Sequence, residues 1–144
     1  MASPDSPAKF DDVLVVREIW DLPLSGVTLF DGGFYSFQRV YDEAAQGWAP
    51  NKEFMLQRLT GAELAQFNEL HDRYNAWVAA YQAGKAGPHP LTPEATGPDA
   101  DRYKELHQLT EAILFSDTDR TIRCTGELAM HPDKTRYIAQ WQKI

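Results

Sequence analysis

The run Gly26-Val27-Thr28-Leu29-Phe30-Asp31-Gly32-Gly33-Phe34-Tyr35-Ser36-Phe37 leaves the chain little conformational choice. β-Branched and aromatic residues flank Asp31-Gly32-Gly33, and glycine supplies the positive φ that a tight hairpin turn requires. Gly26 to Phe30 therefore pairs antiparallel with a strand over Phe34 to Tyr41. Alternation puts Tyr35, Phe37, Arg39 and Tyr41 on one face, and Phe34, Ser36, Gln38 and Val40 on the other. Val13 to Val16 with Glu18-Ile19-Trp20 reads as a strand before this hairpin, and Glu53 to Leu59 as a fourth after the loop 42–51.

The periodicity then changes. Thr60-Gly61-Ala62-Glu63 is a capping box, in which the threonine oxygen accepts the N–H of Glu63 and the glutamate reaches back. The helix it starts runs to about Gln82, with Gly84 placed to end it. Leu64, Phe67, Leu70, His71, Tyr74, Trp77, Val78 and Tyr81 recur at three- and four-residue steps, which predicts one broad core-facing stripe. Residues 85–98 are rich in glycine and proline and read as a surface loop. Asp99 to Phe115 forms a second helix, and Thr121 to Met130 and Arg136 to Trp141 form a final strand pair.

Four strands, two helices and two strands predict an α+β fold. The expected architecture is an antiparallel twisted sheet or small, partly open β-barrel of about six strands. The two α-helices are inserted between strands 4 and 5 and cover one side. Residues 1–10 read as a flexible, polar leader and 11–144 as one domain, which suits a chain of 144 residues.

A net charge of -7 argues against a nucleic-acid partner, whose phosphates require a concentrated positive face. No apolar run reaches membrane-spanning length, so no membrane partner is expected. The single cysteine, Cys124, excludes an intrachain disulfide, favours a reducing, cytoplasmic setting, and falls inside a strand as a buried thiol would. Neither phosphate-binding loops nor hydrolase or metalloprotease signatures occur, and no histidine pair has ligand spacing. No cofactor, no metal and no catalytic residue is therefore assigned.

Five residues remain as candidates for ligand or partner binding. Trp20 and Asp21 enter the corner Trp20-Asp21-Leu22-Pro23-Leu24-Ser25-Gly26, where the carboxylate is expected to cap the turn by accepting backbone N–H groups. Tyr41 lies on an aromatic strand face, and Trp48, in a Gly/Pro loop, is least obliged to be buried. His71 sits on the apolar stripe of the long helix. His107 reads as a core-edge histidine, His89 as a loop residue between two prolines, and His131 as the start of a turn.

The corner, with the closing Gly126-Glu127-Leu128-Ala129-Met130 and Arg136-Tyr137-Ile138-Ala139-Gln140-Trp141, resembles a group of uncharacterised small bacterial proteins that share an aromatic-Asp-x-Pro-x-Ser-Gly strand corner. The likeness covers about half of the chain. It implies a bacterial or phage-borne protein and transfers no catalytic residue.

Three functions compete. The first is a non-enzymatic binding protein, such as an immunity-type or anti-defence inhibitor that occludes a protein partner. The second is a small-molecule or nucleotide sensor with its ligand between sheet and helix, near Trp20, Asp21, Tyr41 and His71. The third is an acid/base enzyme using Asp21 or His71. Oligomeric state is left open.

Overall fold

The computed structural model describes residues 10–49 and 51–144, so nearly all of the expected leader, and Pro50, lie outside the described residues. The elements run β1 (Asp11–Trp20), β2 (Leu22–Phe30), β3 (Gly33–Arg39), β4 (Tyr41–Asp42), β5 (Gly47–Trp48), β6 (Glu53–Arg58), α1 (Gly61–Gln82), α2 (Pro98–Leu114), β7 (Thr121–Met130) and β8 (Tyr137–Lys143).

The fold is α+β. Six antiparallel strands close into a barrel in the order β1-β2-β3-β6-β7-β8, and β4 and β5 form a separate two-stranded ribbon. Closure rests on two residue pairs, Asp11 with Ala139 and Asp12 with Ile138. Arg136 reinforces that seam, donating from Nε to Asp12 Oδ1 at 2.8 Å. The barrel is thus closed, not partly open. The helices follow β6, the sixth strand of the chain, because the loop 42–51 contributes the ribbon that its polar, broken sequence conceals.

The barrel lumen is filled by Val13, Tyr35, Phe37, Phe54, Leu56, Cys124, Ala139 and Trp141. Cys124 is buried there, and desolvation pushes its thiol up to about 11, which keeps it in the neutral form. A second cluster, Val15, Val27, Leu59, Phe67 and Leu114, joins the outer face of the barrel to both helices.

β1 explains how one strand serves both clusters. Strict alternation would put Val13 and Val15 on one face, yet Val13 packs in the lumen and Val15 under the helices. The pairing of β1 with β2 slips between these two residues, and an extra residue in one strand reverses its facing. Further shifts follow between Val16 and Glu18 and between Glu18 and Ile19. The first slip leaves Arg17, two residues beyond Val15, turned to the helical side.

The expected corner is much smaller than its sequence implies. β2 begins at Leu22, and Asp21 alone makes the reversal, at φ +61° and with Trp20 paired to Leu22. Asp21 is exposed, and among the described residues its carboxylate accepts no hydrogen bond, so the capping role does not hold. β3 ends at Arg39, which removes Tyr41 from its face and passes it to the ribbon.

The capping box of α1 is formed as the sequence requires: Glu63 N donates to Thr60 Oγ1 at 3.2 Å and Thr60 N to Glu63 Oε1 at 2.9 Å. Its apolar stripe, however, is only partly used by the core. Phe67 and Leu70 are buried, whereas Tyr74 and Tyr81 are exposed. At 22 residues the helix is roughly 33 Å long and outreaches the barrel that it covers.

The overhanging half of α1 packs instead against residues 84–98. The ring of His89 lies 5.0 Å from that of Trp77 and 5.9 Å from that of Tyr103, and Trp77 Nε1 donates to Gly87 O at 3.3 Å. Rigid prolines on both sides of His89 lower the entropy lost on docking it. His89→Ala is therefore expected to loosen this segment and speed tryptic cleavage after Lys85 several-fold with little change in the global thermal transition. Unaltered cleavage would show that His89 does not pin the loop.

The helices are clipped together by Glu69, which receives Arg102 through Nε at 2.9 Å and Nη2 at 2.7 Å, and Arg73 through Nε at 2.8 Å. The two guanidinium groups hold the Glu69 carboxyl at about 2, against the ordinary 4.5. Among the described residues no helix is long and apolar enough to cross a membrane.

Candidate functional site

A cleft of about 600 Å³ opens where β1, α1, α2 and residues 84–98 meet. β1 forms its floor with Val15 to Ile19, α1 contributes Phe67, Leu70, His71 and Tyr74, and α2 contributes Tyr103, His107 and Glu111. His89 and Leu91 close the loop side. Three of the protein's four histidines thus line one concave surface, from three separate elements. Sites with apolar walls and a few placed polar groups are the usual form of small-molecule pockets, and this volume lies in their range.

Arg17 is the polar centre. Its side chain is 8% exposed, its Nη2 donates to Glu111 Oε2 at 2.5 Å, and the same nitrogen lies 3.0 Å from His107 Nδ1. Nη1 faces Glu18 Oε1 at 3.5 Å. Arg17 Nε is buried and has no hydrogen-bond partner among the described residues. The same Nη2 lies 3.5 Å from His107 Nε2, so the guanidinium sits against both ring nitrogens. His107 Nε2 lies 3.4 Å from Glu111 Oε2.

Burial and the charge of Arg17 lower the pKa of His107 below its ordinary value, outweighing Glu111 and Glu18. The unfolded chain therefore takes up this proton at a higher pH than the folded one. The contribution of His107 is fully present above about pH 6.5 and is lost as pH falls through the folded value. The thermal midpoint is expected to drop between pH 7 and pH 5, with a shallower drop in His107→Gln. Identical slopes would refute this assignment.

Burial raises the Tyr103 hydroxyl above its ordinary range, so it remains a neutral donor at the cleft wall. His71 Nε2 accepts from Asn75 Nδ2 at 3.1 Å. Among the described residues no group of three or more His, Cys, Asp or Glu side chains is placed to hold a metal ion.

The five residues singled out in the sequence fall in three places. His71 lines the cleft. Trp20 and Asp21 stand at the β1–β2 turn, with Trp20 74% exposed and flanked by exposed Ile19 and Leu22. Tyr41 and Trp48 face each other across the β4–β5 ribbon, edge to face with centroids 5.6 Å apart. A single pocket built from Trp20, Asp21, Tyr41 and His71 is therefore not formed; of these four, only His71 borders the cleft.

Arg17, Glu111, Tyr74 and Tyr103 are the residues that sequence reasoning passed over. One signal was present: Tyr103, His107 and Glu111 recur at four-residue steps and so share one face of α2. Arg17 carried another, as a charge inside a strand of valines.

The chain matches no family model, no curated protein and no solved structure.

Proposed function

We propose that this protein is a non-enzymatic binding protein that holds a small organic molecule in the cleft between β1 and the helices. The observation that supports it most is the cleft itself. Its floor and walls are apolar at Val15, Phe67, Leu70 and Leu91, while Arg17, His71, His107 and the two tyrosines place hydrogen-bonding groups around them. Such a surface gains from burying an apolar body and discriminates by its few polar contacts. Of the two acid/base candidates, His71 lines the cleft and Asp21 stands outside it, so an enzyme at this site would rest on His71.

Native mass spectrometry of protein purified from its own cells tests the reading. The expected spectrum carries a small-molecule adduct that is lost in Leu91→Trp, a substitution that fills the cleft from its loop side at a residue belonging to neither buried cluster. A protein free of adduct, or an adduct retained by Leu91→Trp, counts against it.

A second reading is favoured by the exposed apolar tip Ile19-Trp20-Leu22: occlusion of a protein partner, as an immunity-type or anti-defence inhibitor would do. An exposed tryptophan within an apolar patch suits a binding hot spot. Here the chain would copurify with one protein at fixed stoichiometry, and Trp20→Ala would weaken that complex at least about tenfold. A complex indifferent to Trp20→Ala would remove the tip from consideration.

A further inference from the structure

We propose that the ligand of this cleft is an organic monocarboxylate, whose carboxyl group docks on Arg17 by displacing Glu111. The inference rests on the reading of the cleft as a small-molecule site and adds the chemical class of its occupant.

Arg17 is a nine-tenths buried guanidinium whose Nε–H has no acceptor among the described residues, while the adjacent Nη2 is held by Glu111. Nε and Nη2 form one edge of the planar group. That edge matches the two oxygens of a carboxylate, and the pairing is strongest when both bonds form together. Glu111 occupies only half of it. Its side chain is 45% exposed, so it can leave for water without a buried charge being stranded. A ligand carboxylate bound at both positions replaces one charge-assisted contact by two and satisfies the buried N–H.

The surroundings select a monoanion over a phosphate. Glu18 and Glu111 both border Arg17, and the neutral His107 adds no positive charge. A dianion that displaced Glu111 would add one net negative charge beside Glu18, whereas a monocarboxylate exchanges one for one with Glu111. Val15, Ile19, Leu70 and Leu91 offer apolar contact to the remainder of the molecule.

Titration calorimetry with 3-phenylpropionate, its neutral amide and phenethylamine tests the proposal on the full chain. The acid is expected to bind at least about tenfold more tightly than the amide, the amine least, and Leu91→Trp should abolish all binding. Arg17→Met should cost the acid at least about tenfold, with the amide little changed. Glu111→Gln removes the competing anion and is expected to tighten the acid several-fold, a gain that a merely structural Arg17–Glu111 pair would not produce. Because Glu111 is partly exposed, this variant also guards against a folding defect in Arg17→Met.

Tighter binding of the amide or amine, lost in Leu91→Trp, would overturn the carboxylate assignment while leaving the ligand cleft intact. Weaker acid binding in Glu111→Gln would overturn the displacement. Acid binding unaffected by Leu91→Trp would overturn both the assignment and the cleft as its site.

Discussion

Trp141→Ala is expected to lower the unfolding free energy by about 3–5 kcal/mol in urea denaturation, with an unchanged denaturant slope. Trp141 is the largest side chain of the lumen cluster and touches most of the barrel. Its ring meets Phe54 edge to face at 5.1 Å and Phe37 at 5.5 Å, and its Nε1 donates to Thr28 Oγ1 at 3.0 Å. It therefore ties β8 to β2, β3 and β6 at once. Gly126, opposite it on β7, has no room for a side chain: an added β-carbon would lie 2.4 Å from the indole ring. Trp141→Phe keeps part of the packing but loses the hydrogen bond and should cost about 1–3 kcal/mol. A loss below about 1 kcal/mol for Trp141→Ala would mean that the lumen is not the main core.

Gly26→Ala is the second large effect. A β-carbon at Gly26 would stand 1.9 Å from the carbonyl oxygen of Val15 and 3.2 Å from the Cα of Val16. Both are backbone atoms of the neighbouring strand, so no rotamer change relieves the clash and β1 must move away from β2. The expected cost is about 3 kcal/mol or more. The same shift carries Arg17 from Glu111 and His107, so any protein that still folds should lose cleft binding too. Gly32→Ala is the control: open space surrounds the added carbon, and only the strain of φ +74° opposes it, about 1 kcal/mol. Similar destabilisation by the two substitutions would contradict the close approach of β1 and β2 at Gly26.

Local chemistry made part of this fold readable. The Asp31-Gly32-Gly33 turn joins β2 to β3, and Thr60 caps α1, because both are decided within a few residues. Barrel closure was not readable, since it depends on Asp11 and Asp12 finding β8 across the whole chain. The Leu22-Pro23-Leu24 stretch was misread as a corner. Proline there suggested a break, but Pro23 lies within β2, one residue into the strand and opposite Ile19.

The site was less legible for a related reason. His71 was conspicuous as a polar residue on an apolar stripe. Arg17 was not, because its facing is set by the slip between Val13 and Val15, which no alternation pattern records. Its partners His107 and Glu111 lie some ninety residues further on and meet it only once α2 is laid on the barrel. Trp48 was singled out for its loop, yet that loop folds into a ribbon in which Tyr41 is its neighbour.

The most direct test of the cleft as the binding site follows the side-chain ring signals of the four histidines by ¹H–¹⁵N NMR. The titrant is the small-molecule extract of the protein's native cells. His71, His89 and His107 line the cleft, whereas His131 sits beyond β7 and serves as an internal reference. The cleft account predicts that the first three shift with saturation while His131 stays fixed, and that Leu91→Trp suppresses the response. Cleft histidines that remain still, or shifts that His131 shares equally, would contradict it.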